Sequence, residues 1–216
     1  MLNKPIAVLA GTPVDTQMGV DVLSAAGLTG LSFPLAGNPL QQTTFQLSAP
    51  TEKRAKALAV LQDAMTQGCM KAFVYCNSLS SAVDFILLAE ETGMRIVTPL
   101  EVYRSLACQY RRLGLVAANA QGLAGIERTL YAANPDLELL GACLLPAVLS
   151  IEAGQAPAEL VKYHHLSELA SWFQSCGMEA LILGCTHFPY FKEALAAQTS
   201  LPLIDCTEEM VKLIQI

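Results

Sequence analysis

Two short stretches of this chain end an apolar run abruptly in reactive groups. In the first, Ala72-Phe73-Val74-Tyr75 runs into Cys76-Asn77-Ser78; in the second, Ala180-Leu181-Ile182-Leu183-Gly184 runs into Cys185-Thr186-His187. Short apolar runs bounded in this way read as strands covered on both faces of a parallel sheet, and ligand crevices in such sheets lie beyond the carboxyl ends of the strands. Cys76, Cys185 and His187 are therefore expected at a crevice mouth. A free thiol ionises near pH 8.5, so a partner that stabilises the thiolate or relays its proton brings a cysteine into range as a general base or acid. His187 stands close enough in sequence to serve Cys185 in this way.

A base and an acid on opposite faces of an α-carbon can invert it without a cofactor, and two thiols can exchange those roles. The developing charge on the substrate carboxylate then needs preorganised donors, for which Asn77, Ser78 and Thr186 stand beside the cysteines. A pyridoxal mechanism would need a Schiff-base lysine in a phosphate cradle, and neither Lys71 nor Lys162 has such a setting. No cofactor and no metal are expected.

The two stretches resemble the paired signatures of the aspartate/glutamate racemase superfamily. Cys76-Asn77-Ser78 is similar to its first cysteine motif, and Gly184-Cys185-Thr186-His187-Phe188-Pro189 to its second in the form that glutamate racemases carry. The resemblance implies a racemase that interconverts L- and D-glutamate through Cys76 and Cys185. It further implies that Asp15, in Gly11-Thr12-Pro13-Val14-Asp15-Thr16, supports Cys76, that Thr16 binds substrate, and that Glu152 belongs to the site. Read from the residues alone, Asp15 is a helix N-cap and Glu152 a solvated carboxylate at a helix start. Two departures from the family bear on the substrate: Pro39-Leu40-Gln41 stands where a Pro-Tyr-Gly turn is usual, and Gln121 where a Thr is common. Gln121 is either a substrate contact suited to a shorter acid or a solvated residue at a helix start.

Strand, small polar turn and helix recur at Asp15, Cys76, Asn119 and Cys185. The expected fold is α/β: two similar three-layer lobes with mostly parallel sheets and an active-site crevice between them. The first lobe is expected over 1–97, completed by 201–216, and the second over 98–200. The Gly-, Asn-, Pro- and Gln-rich stretch 36–50 reads as an irregular loop. An apolar helical pattern follows Cys76 through Leu88, and residues 158–176 read as one long helix, with His164 and His165 as surface or packing residues.

Composition narrows the class. Hydrophobic residues make up 53% of the 216 and charged residues 15%, which excludes disorder. Thirteen basic against nineteen acidic residues give a net charge of −6 with no basic cluster, which excludes nucleic acid as partner. Seven widely spaced cysteines are unlike a disulfide framework and fit a reducing cytoplasm. Met1-Leu2-Asn3-Lys4-Pro5 leads straight into Ile6, so no export or membrane signal is expected. The expected partner is a small amino acid, glutamate or aspartate, and a homodimer is one of the assemblies left open.

Other readings remain at this stage: aspartate racemase or another carboxylic-acid isomerase of the superfamily, a non-catalytic amino-acid-binding protein, and a Cys–His hydrolase with Cys185 as nucleophile. A zinc site at Cys185 and His187 lacks any CxxC partner.

Overall fold

The computed structural model describes residues 4–216, and the N-terminal reading made on Met1, Leu2 and Asn3 lies outside them. The chain divides into two compact units, Met1–Val102 with Cys206–Ile216, and Tyr103–Asp205.

The first unit holds a parallel sheet in the order β2-β1-β3-β4. Its strands are β1 (Ile6–Ala10), β2 (Gly30–Pro34), β3 (Lys71–Val74) and β4 (Arg95–Val97). β1 is buried along its whole length, as its uninterrupted apolar sequence requires. Helix α1 (Pro13–Ala25) returns the chain from β1 to β2. Helices α2 (Pro39–Leu47) and α3 (Pro50–Thr66) carry it back across β1 to β3, and α4 (Asn77–Ala82) and α5 (Phe85–Thr92) lead on to β4. The crossing direction reverses after β2, so right-handed connections put α1 and α3 on opposite faces. Side chains obey the same alternation. Ala7 and Leu9 cluster with Ala57, Leu61 and Ala64 of α3, whereas Val8 points to α1, where a Cβ on Gly19 would come within 2.7 Å of the Val8 Cγ1. Gly19 is thus the close approach that seats α1 on the sheet.

Helix α6 (Pro99–Leu106) runs across the boundary into the second unit. There β5 (Arg112–Ala117), α7 (Ala120–Ala133), β6 (Glu138–Cys143), α8 (Leu145–Glu152), α9 (Pro157–Tyr163), α10 (Leu166–Ser175), β7 (Ala180–Gly184), α11 (Pro189–Ala196) and β8 (Leu203–Ile204) follow. The sheet order is β6-β5-β7-β8, again parallel throughout. Each unit therefore reverses its winding direction after its second strand. Helix α12 (Thr207–Gln215) closes the first unit, packing on β3, β4 and α1.

Several expectations need correction. The expected limits at 97 and 200 differ from the unit limits, because β8 pairs with β7 in the second sheet and only α12 belongs to the first unit. The stretch 36–50 is not an irregular loop: Asn38 accepts a hydrogen bond from the Gln41 amide and Pro39 opens α2. The helical pattern after Cys76 is two helices, divided where the Asp84 carboxylate caps α5. The long helix expected over 158–176 is likewise two, broken at His165, whose backbone is left-handed at φ 52°.

Candidate functional site

In the first unit the polar turns begin level with one another, because β1 and β3 pair with Leu9 opposite Val74 and the Tyr75 amide extends the ladder to the Leu9 carbonyl. Thr12, not Asp15, caps α1: it holds the extended backbone of a cap, and its Oγ1 accepts from the Asp15 amide at 3.1 Å. Asp15 is the third residue of the helix, 1% exposed, with its Oδ2 accepting from the Gly11 amide at 3.3 Å. Thr16 is fully buried and its hydroxyl donates to the Thr12 carbonyl at 2.6 Å, so its proton is committed to the helix end.

Cys76 is the N-cap residue of α4, 3% exposed. The Gln42 Nε2 lies 3.0 Å from its sulfur and the Ser78 Oγ 3.5 Å. The Ser78 oxygen in turn accepts from Gln42 Nε2 at 3.1 Å and from Gln46 Nε2 at 2.7 Å. Asn77 is buried at the first position of α4, and its carbonyl accepts from the Ser81 hydroxyl at 2.9 Å. Gln42 and Gln46 were missed in the sequence because their helix was missed. The recoverable signal was Asn38-Pro39, a cap followed by proline, with Gln42 and Gln46 four apart on one face behind it.

In the second unit Cys185, Thr186 and His187 form the buried turn between β7 and α11. The Cys185 Sγ lies 3.6 Å from His187 Nδ1, and His187 Nε2 lies 3.0 Å from the Glu152 Oε1. Glu152 ends α8 rather than opening a helix, and its side chain is only 15% exposed, so it is not a solvated carboxylate. A carboxylate can only accept, so Nε2 carries a proton toward Glu152 and Nδ1 faces the sulfur. In neutral imidazole Nδ1 accepts the thiol proton; in the imidazolium both nitrogens donate, one to the carboxylate and one to the thiolate. Gln121 lies in the first turn of α7, half-buried, at the end of β5, and Asn119 caps that helix through the Gly122 amide at 3.0 Å.

The two adjacent histidines do local work. His164 Nε2 meets the Ser150 Oγ at 2.9 Å, and burial holds this histidine below its usual ionisation range. His165 pairs with Glu168 at the break before α10. Among the remaining cysteines, burial pushes the Cys69 thiol up, and burial together with Glu127 does the same for Cys143. Both changes oppose thiolate chemistry.

Comparison with known proteins bears on this arrangement. The family model described as Asp/Glu/Hydantoin racemase matches residues 35–214. A glutamate racemase of Thermus thermophilus is 33% identical over 136 residues, which cover 62% of this chain and 49% of that protein. A crystal structure of glutamate racemase from Francisella tularensis in complex with D-glutamate superposes with a TM-score of 0.79 at 20% identity, covering 99% of this chain and 80% of that one. Allantoin racemase from Klebsiella pneumoniae has the same fold, with a TM-score of 0.65 at 18% identity over 98% of this chain and 86% of that one. The chain spans about half the length of the curated relatives it matches first. Proteins named for different substrates share this architecture, so the fold leaves the choice of substrate to individual side chains.

Proposed function

Because the chain belongs to the Asp/Glu/hydantoin racemase family, we propose that it inverts the α-carbon of an acidic amino acid, glutamate in the first instance, with Cys76 and Cys185 as the proton carriers. In one direction the Cys76 thiolate takes the α-proton: the S–H bond forms as the C–H bond breaks, and the electron pair passes toward the substrate carboxylate. Cys185 then gives its proton to the opposite face, leaving a Cys185 thiolate beside His187. The reverse direction uses the same groups in the opposite sense, and nothing is oxidised or reduced. Asn77 and Thr186 are the donors proposed for the substrate's charged groups, with Ser78, Thr16 and Gln121 as further binding residues and Asp15 as support for Cys76.

The observation that carries the reading is the series Cys185, His187, Glu152, at 3.6 and 3.0 Å. An imidazole held by a carboxylate can relieve a thiol of its proton or return it, which is the demand racemisation makes of its acid. Glutamate is preferred because the continuation His187-Phe188-Pro189 has the glutamate racemase form and the Thermus thermophilus relative carries that name. The test is a panel of L- and D-amino acids followed by optical rotation, with turnover in deuterium oxide. Expected is loss of rotation with glutamate and one solvent deuterium at the α-position of product. Aspartate turning over much faster would replace the substrate while keeping the chemistry; unlabelled product would refute the proton-transfer account.

A second reading has one observation in its favour. Cys185, His187 and Glu152 are ordered as nucleophile, base and orienting carboxylate, the arrangement of a cysteine hydrolase. It assigns Cys76 no role, so Cys76→Ala separates the two: a hydrolase keeps its activity, and a racemase loses it.

A further inference from the structure

Burial alone disfavours a thiolate, because removing water penalises the charged form. Cys76 is 3% exposed, yet the side chains around its sulfur compose a donor set. Gln42 reaches it with an amide nitrogen at 3.0 Å. Ser78 has one proton and two accepting positions; the nitrogens of Gln42 and Gln46 approach its oxygen at 3.1 and 2.7 Å and fill those positions. The Ser78 proton is thereby directed at its remaining partner, the Cys76 sulfur at 3.5 Å. Gln46 is 4% exposed and so fixed in place by the need of a buried amide for partners. Gln42 is half-buried. Its amide fills the space over Gly11, where a Cβ would stand 2.0 Å from the Gln42 Cδ and 2.1 Å from its Nε2.

We propose that Gln42, and Gln46 acting through Ser78, hold Cys76 as a hydrogen-bond acceptor and so keep it in the thiolate form that can remove a proton. Gln42 touches the reacting sulfur directly; Gln46 is a positioning residue. The proposal rests on the reading of Cys76 as a base, but its central content, the ionisation of Cys76, is measurable with no substrate present.

The experiment is peptide-resolved alkylation by iodoacetamide as a function of pH on the full chain, comparing Gln42→Met, Gln42→Glu, Gln46→Met and Gly11→Ala with the parent. A hydrogen bond to a charged group is worth enough to move an ionisation midpoint by about one pH unit. Gln42→Met keeps the volume and loses the donor, so the midpoint of Cys76 alkylation should rise by about that much. Gln42→Glu replaces the donor with an anion and should raise it further. Gly11→Ala should raise it by displacing the Gln42 amide, and Gln46→Met by a smaller amount because it acts at one remove. Cys185 in the same digests is the internal control and should keep its profile. A Gln42→Met midpoint equal to the parent's would overturn the proposal, as would an equal rise in Cys76 and Cys185, which marks a general loosening. Racemisation measured alongside keeps the two claims apart: a shifted midpoint in a chain that racemises nothing sinks the proposed function alone, and an unshifted midpoint in an active racemase sinks this inference alone.

Discussion

Glu152→Gln is the sharpest perturbation of the second unit. The carboxylate lies 3.0 Å from His187 Nε2, with side-chain exposures of 15% and 3%, so solvent screens the pair little. Replacing the carboxylate by an amide keeps shape and hydrogen-bond reach but removes the charge that favours imidazolium. A hydrogen bond to a charged group contributes about 1.5–3 kcal/mol, which at roughly 1.4 kcal/mol per decade corresponds to a loss of about 10- to 100-fold in kcat/KM. The equilibrium constant of a racemase is unity, so the loss must be the same for L- and D-substrate. Glu152→Ala should cost more, because it leaves the Nε2 proton without its acceptor in a buried place. Initial rates by circular dichroism in both directions give the measurement. Activity within twofold of the parent in Glu152→Gln would refute the relay.

Cys76→Ala and Cys185→Ala should each lower racemisation by about a thousandfold or more, since each removes a proton carrier that both directions use, while the far-ultraviolet dichroism stays that of the parent; residual activity in either above a tenth of the parent's would contradict the assignment. Gly114→Ala should destabilise the second unit by about 1–3 kcal/mol, because the new Cβ would stand 2.8 Å from the Phe173 Cδ1 and 2.9 Å from the Leu181 Cδ1; thermal melting checks this, and Phe173→Leu added to it should recover part of the loss. The backbone amides of Arg112 and Arg111 hold the Glu179 carboxyl below its usual range. A lowered folded-state value means stability present above the ordinary glutamate range and lost as pH falls through the folded value; the melting difference between the parent and Glu179→Gln should therefore be greatest near neutrality and close in acid, and a difference that widens in acid would reverse the sign.

The strand ends were legible because burial on both faces leaves a plain signature. Apolar runs such as Leu181-Ile182-Leu183 admit few other structures, and a cysteine following one is conspicuous. Helix α2 was not legible, since Thr43 and Thr44 are poor helix formers and its exposed Leu40 and Leu47 give no apolar stripe. What holds α2 is its cap at Asn38 and the tertiary contact of Gln42 and Gln46 with Ser78, 36 and 32 residues away. The break at His165 was hidden for a related reason, because a left-handed residue without glycine has no sequence mark. Glu152 was visible as a carboxylate among apolar residues, yet its partner His187 lies 35 residues on, and no periodicity reports a pairing at that separation.

The two cysteines differ in the chemistry of what surrounds them, and the difference bears on how a cycle can close. Around Cys76 the Gln42 amide and the Ser78 hydroxyl are neutral donors, which stabilise negative charge on sulfur but release no proton of their own at neutral pH. Around Cys185 the contact is an imidazole backed by a carboxylate, a group that takes up and gives back a proton across the physiological range. Neutral donors therefore suit a sulfur that waits as the base, and the imidazole suits a sulfur that must start as the acid. On the proposed mechanism one turnover in that direction reverses both protonation states. The proton left on Cys76 has no titrating neighbour among Gln42, Gln46 and Ser78, whereas that lost from Cys185 can be replaced through His187. On the proposed mechanism, resetting the free protein for the same enantiomer then depends on removing the Cys76 proton, and Asp15, buried in the first turn of α1, is the carboxylate proposed to receive it.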